Sequence, residues 1–181
     1  MNVRRDNTFA VCVDLQEKLM PVISEGEKVT ESAARLIEGL NILGVPVIAT
    51  QHNTKGLGAT VKAVYDALPG GKEYFEKSSF SLYKTEKIRS HIDRMNRENV
   101  LIFGAETHVC VLQSLISLRE AGYNVLIIRD ACGSRYEEDK KTAIMRAVFE
   151  GAAVSTVESI LFELTEFSDC DEFKKILKLV K

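Results

Sequence analysis

The chain lacks several things that would have settled its class at once. It has no excess of one charge: 24 Lys and Arg stand against 26 Asp and Glu over 181 residues, for a formal net charge of -2. A phosphate-binding surface needs clustered, uncompensated positive charge, so a nucleic-acid partner is not expected. There is no long apolar run. The apolar runs are strand-sized, such as Val125-Leu126-Ile127-Ile128, and a membrane-spanning helix needs about 20 consecutive apolar residues. The apolar stretch Phe9–Val13 ends at Asp14, too early for a signal sequence. No two of the four cysteines (Cys12, Cys110, Cys132 and Cys170) form a Cys-x-x-Cys pair, which excludes zinc-ribbon and thioredoxin-type motifs. A chain of this size buries a core without disulfides, so reduced thiols and a cytoplasmic location are expected. The three histidines, His52, His91 and His108, show no metal-ligand spacing, so neither a metal nor another cofactor is expected. Gly56-Leu57-Gly58 lacks the third glycine of a dinucleotide loop, and Gly71-Lys72-Glu73 is not the end of a phosphate loop.

What is present is an alternation of short β-branched runs and longer amphipathic stretches. Strands are predicted at Thr8–Val13, Val45–Thr50, Glu73–Lys77, Val100–Phe103, Val125–Ile128 and Ala153–Ser155. Near-continuous apolar runs of this length suit strands covered on both faces. Helices are predicted at Lys28–Leu43, Thr60–Leu68, Thr85–Met95, His108–Ala121, from Glu137 to about Glu150, from Thr156 to Leu164, and at Asp171–Val180. Gly44, Gly122 and Gly151 stand where left-handed helix caps belong. Strands alternating with helices make one α/β domain over residues 1–181, three layers deep, with a mostly parallel six-stranded sheet.

Ligands of such sheets bind beyond the carboxyl ends of the strands. Asp14 follows the first strand, Gln51 and His52 the second, Lys77 ends the third, and the segment from Gly104 to Cys110 follows the fourth. Asp14, Lys77 and Cys110 therefore share one sheet edge. Cys110 lies about one turn into a predicted helix, where free N–H groups and a nearby lysine favour a thiolate. A carboxylate can receive the thiol proton, and the three together suit nucleophilic attack on an electrophilic carbon. Each residue alone has a plainer reading: a core thiol, a helix-capping Asp, a solvated Lys. Asp130 and Arg135 flank the end of the fifth strand, as an ion pair or as subunit contacts. His108 is expected to point away from Cys110.

Five segments carry a resemblance. They are Cys12-Val13-Asp14-Leu15-Gln16-Glu17-Lys18-Leu19, Gln51-His52-Asn53-Thr54-Lys55-Gly56-Leu57-Gly58, Glu76-Lys77-Ser78-Ser79-Phe80-Ser81, Gly104-Ala105-Glu106-Thr107-His108-Val109-Cys110-Val111 and Asp130-Ala131-Cys132-Gly133-Ser134-Arg135. Together they resemble the isochorismatase-like cysteine hydrolases, and most of all the isochorismatase-domain-containing branch. The resemblance implies a sheet of order 3-2-1-4-5-6 and a nucleophile at Cys110. It implies that Asp14 takes the thiol proton and that Lys77 balances its charge. It further implies a cis peptide between Ala105 and Glu106, and an oxyanion hole made by the N–H groups of Glu106 and Cys110. Gln16, Gln51, His52 and Phe80 are candidate pocket residues. The substrate implied is a small carbonyl compound, an amide by preference. Vinyl-ether hydrolysis of the isochorismate type is the alternative, and a non-catalytic binding protein keeping the fold is another. Homo-oligomers are common in the family. The metal-binding nicotinamidases carry Asp-x-His after the second strand, where this chain reads Gln51-His52-Asn53, so neither their metal nor nicotinamide is expected.

Overall fold

The computed structural model describes residues 1–70 and 74–181. Glu73, expected to open the third strand, and the rest of Gly71-Lys72-Glu73 lie outside the described residues. Six strands, β1 (Thr8–Val13), β2 (Val47–His52), β3 (Tyr74–Lys77), β4 (Asn99–Ala105), β5 (Asn124–Gly133) and β6 (Ala153–Ser155), form one sheet of order β3-β2-β1-β4-β5-β6. Every pairing is parallel. The helices are α1 (Gly26–Ile42), α2 (Thr54–Leu57), α3 (Lys62–Ala67), α4 (Glu86–Arg94), α5 (Leu112–Glu120), α6 (Glu137–Phe149), α7 (Val157–Thr165) and α8 (Phe173–Val180). They cover both faces of the sheet. The group α1, α3, α7 and α8 is centred on α1, while α5 packs on α6.

Because both faces are covered, β1 and β4 are buried at every residue and their sequences do not alternate. The apolar core runs through the whole sheet as one cluster. At Gly39 of α1 an added Cβ would stand 2.4 Å from the Leu161 side chain of α7, so the missing side chain lets the two helices close.

The strand ends depart from the sequence expectation, most of all at the carboxyl edge. β2 starts two residues later than expected and runs on through Gln51 and His52, which pair with Glu76 and Lys77 of β3. β4 does not break at Gly104. That glycine lies inside the strand with φ +126°, opposite Val13. An added Cβ would sit 2.0 Å from the Val13 carbonyl oxygen. β5 does not stop at Ile128. Its pairing with β4 jumps from Ile102↔Ile127 to Gly104↔Cys132, so the intervening residues bulge out before the strand resumes. The bulge carries Asp130 to the start of α7, where its carboxylate accepts the Val157 N–H (Oδ1 2.9 Å, Oδ2 3.2 Å). Thr156 caps the same helix, its Oγ1 accepting from Ser159 N at 3.4 Å. Asp130 is thus a helix cap, not an ion-pair partner of Arg135.

Candidate active site

β1 and β4 are neighbours, so the turn after Val13 opens onto the turn after Ala105. Asp14 turns the chain there with φ +49°, and its N–H donates to Thr50 O of β2 at 3.2 Å. Its carboxylate is buried and held at both oxygens. Thr50 Oγ1 donates to Oδ1 at 2.7 Å, and Lys77 Nζ donates to Oδ2 at 2.6 Å. Lys77 comes from β3, two strands away, and bridges the gap with its full length. Its ammonium also lies 3.4 Å from Cys110 Sγ and 3.3 Å from Ser79 O. The Lys77 and Asp14 side chains are 0% and 1% exposed. A charged pair so dry persists only when its remaining hydrogen-bonding groups are met, and Thr50 and Ser79 meet them.

Cys110 does not lie in the first turn of an ordinary α-helix. Thr107–Val111 form a π-helical turn, and α5 begins at Leu112. The bond between Ala105 and Glu106 is cis. Burial and the Asp14 carboxylate push the Cys110 thiol up to about 12, against the pull of Lys77 in the other direction. The sequence pattern points to a preformed thiolate, whereas this upward shift favours the protonated thiol. Cys12 and Cys132 lie on inner strands, and burial drives both thiols upward, Cys132 to about 12. Among the described residues, no lysine hydrogen-bonds to either sulfur as Lys77 does to that of Cys110.

Two contributors were not visible in the sequence. Thr50 is one. Ser114 is the other: its hydroxyl donates to Cys110 O at 2.6 Å and accepts from Leu82 N at 3.0 Å, tying the turn that carries the sulfur to the segment that follows Lys77. Ser81 Oγ donates to Ser117 Oγ at 2.9 Å beside it. The only sign in the sequence is the serine run Ser78-Ser79-Phe80-Ser81, which has no obvious partner until the fold is known.

The four candidate pocket residues fare differently. Gln16 is fully buried and its amide is engaged at both ends. Nε2 donates to Gly58 O at 2.7 Å, and Oε1 accepts from His52 N at 2.7 Å, so it shapes the wall and offers nothing to a ligand. Gln51 Nε2 donates to Thr60 Oγ1 at 2.9 Å. His52 reaches the centre. One donor atom each from Asp14, His52 and Cys110 lie within 4.8 Å of one another. Its ring stacks on Phe80 at 5.5 Å and 23°, and Phe80 is 49% exposed, a wall rather than a core residue. A cleft of about 620 Å³ opens there, lined by His52, Asn53, Glu76, Lys77, Ser78 and Thr85. Arg135 Nε donates to Glu106 Oε1 at 2.9 Å. His108 makes a partly buried contact with Ser134 Oγ (Nδ1, 2.9 Å), with Asp139 at 3.9 Å.

The chain and its fold have counterparts. The family profile described as "Isochorismatase domain" matches residues 8–159. The chain belongs to the isochorismatase family. "Isochorismatase domain-containing protein 1" of Danio rerio is 34% identical over 170 residues, which cover 94% of this chain and 59% of that protein. The chain thus spans about three fifths of the length of that relative, and 61% of its Salmo salar counterpart. Among solved structures, "MAR1 Ribonuclease from Caenorhabditis elegans" superposes with a TM-score of 0.94 at 32% identity, covering 99% of this chain and 92% of that one. The YcaC gene product of Escherichia coli, titled "an octameric hydrolase of unknown specificity", shares the fold with a TM-score of 0.92 at 21% identity, over 99% of this chain and 89% of that one. The fold is that of the isochorismatase family, and among the described residues no helix is long and apolar enough to cross a membrane.

Proposed function

We propose that this isochorismatase-family protein is a cysteine hydrolase that cleaves a small carbonyl compound, an amide by preference, through a thioester on Cys110. One observation carries the reading: a single ammonium, Lys77 Nζ, sits 2.6 Å from the Asp14 carboxylate and 3.4 Å from the Cys110 sulfur at the carboxyl edge of the sheet. As the sulfur bonds to the carbonyl carbon, its proton passes to Asp14. The carbonyl oxygen becomes an oxyanion at the N–H groups of Glu106 and Cys110. The C–N bond then breaks, and the departing nitrogen takes the proton from Asp14. Water attacks the thioester, gives a proton to Asp14, and releases the carboxylic acid as the sulfur regains that proton. Lys77 keeps its charge throughout. It steadies Asp14 in the resting state and the sulfur as its proton leaves.

The test is ammonia release from a panel of small amides, with mass spectrometry to trap an acyl adduct. Asp14→Asn and Cys110→Ser are expected to lose activity by roughly 10²–10⁴-fold, the usual share of proton transfer, and the adduct is expected on Cys110. Turnover undiminished by either change would overturn the reading. Turnover of a vinyl ether but of no amide would favour the alternative chemistry. Ligand binding with no turnover would favour a non-catalytic protein.

The Caenorhabditis elegans neighbour, named a ribonuclease, supports a second reading, RNA cleavage. The near-neutral charge balance opposes it. The same wild-type and Cys110→Ser pair, incubated with RNA, is expected to show no cleavage that depends on the sulfur. We also infer a reducing, cytoplasmic setting from the four free thiols and assembly into homo-oligomers.

A further inference from the structure

Asp14, His52 and Cys110 come from the ends of three different strands, yet the structure brings a carboxylate oxygen, an imidazole nitrogen and a sulfur within 4.8 Å of one another. These are the donor types that Zn²⁺ takes. His52 is held in place for such a role from two sides. Its backbone N–H is anchored on Gln16 and its ring lies flat on Phe80. Its Nδ1 is buried and meets no hydrogen-bond partner among the described residues. Buried polar nitrogens are nearly always paired, and no step of the hydrolysis above uses this one. A tetrahedral zinc with bonds of about 2.0–2.3 Å spaces its donors about 3.3–3.7 Å apart, so the triangle has only to contract. The cleft beside it leaves room for water in the fourth position, and Glu76 on the cleft wall adds negative charge for an entering cation.

We propose that Asp14, His52 and Cys110 form a Zn²⁺ site, and that zinc held there reversibly inhibits the hydrolase by occupying its sulfur. On binding, the S–H bond breaks, an S–Zn bond forms, and the proton leaves to solvent. The Lys77 ammonium is the built-in competitor. It already sits against the same carboxylate and the same sulfur, and two cations in so dry a place repel each other strongly. Zinc therefore enters only as the Lys77 side chain withdraws from both. The inhibitory part rests on the hydrolase reading, whereas the binding part does not.

Cobalt titration of the full chain separates the two. Co²⁺ is added without chelating reductant, the thiolate-to-cobalt charge-transfer absorption is followed, and Zn²⁺ is used to displace it. The wild type is expected to develop the band and Cys110→Ser to lack it. His52→Ala is expected to bind at least roughly tenfold more weakly. Lys77→Met is expected to bind at least roughly tenfold more tightly while hydrolysis falls, opposite movements that a shared folding defect does not produce. Should Lys77→Met not fold, the wild-type and His52→Ala titrations decide. No band in the wild type, a band that survives loss of the sulfur, unchanged binding in His52→Ala, or zinc that raises turnover would each overturn the proposal. If no substrate is ever turned over, the titration still stands or falls alone.

Discussion

At the scale of single residues, the site is a problem of where one proton resides. Burial and Asp14 hold the Cys110 thiol up to about 12, from an ordinary 9.0. The rate of alkylation at Cys110 should therefore keep rising between pH 9 and 11. Cys170, the least buried of the four thiols, should label more readily at neutral pH. Peptide mapping after timed labelling checks this, and a Cys110 rate that levels off near pH 7 would show a preformed thiolate. The same shift bears on stability. The unfolded thiol ionises near 9 while the folded one stays neutral, so the contribution is complete below pH 9 and is lost as pH rises toward 12. Cys132, also raised to about 12, acts in the same direction, and urea midpoints should fall from pH 8 to pH 10. Thr50 is the second residue to probe. Thr50→Val removes the hydrogen bond to Asp14 Oδ1 and is expected to cost about 1.5–3 kcal/mol, the value of a bond to a charged group. Denaturant unfolding measures it, and a change below ~0.5 kcal/mol would mean Asp14 finds another donor.

At the scale of elements, what could be read from the chain follows a physical divide. Strand centres are legible where burial on both faces makes them apolar: Thr8–Val13, buried at every residue, has the bounds its sequence predicts. Strand ends are not, because there the side chains face a site and turn polar. Gln51 and His52 look like loop residues for that reason, yet they pair with β3. Gly104 looks like a stop, yet it carries the strand past Val13 at a distance no side chain allows. Asp14, Lys77 and Cys110 were legible together because each closes a strand or follows one. Thr50 and Ser114 were not, since a hydroxyl acquires its meaning only from the neighbour that the strand order supplies. Gly104→Ala is expected to destabilise by about 3 kcal/mol or more, through both backbone conformation and collision. Thermal unfolding against the wild type tests this, and a loss under ~1 kcal/mol would show that β1 and β4 can separate there.

At the scale of the whole molecule, α6 presents apolar groups on both its faces. Ala143 and Ala147 are buried beneath it, while Met145, Val148 and Phe149 stand exposed, Phe149 at 84%. Val154 of the edge strand β6 extends the patch, and the groove beside it is lined by Lys28 and Lys140 as well as Glu25 and Glu137. An apolar patch with both charge signs alongside suits self-association. Phe149→Asp is expected to shift the protein to a smaller assembly in light scattering, with the monomer fold intact by circular dichroism. An unchanged mass would place any subunit contact elsewhere.

The serine at position 114 has a mechanical corollary. Its single hydroxyl clasps the backbone behind the sulfur and the backbone beyond the amine, so the two banks of the cleft are riveted at their root. At the mouth the rings of Phe80 and His52 lean on each other. On the proposed hydrolase reading, guests of different girth would meet an adjustable mouth above a fixed floor.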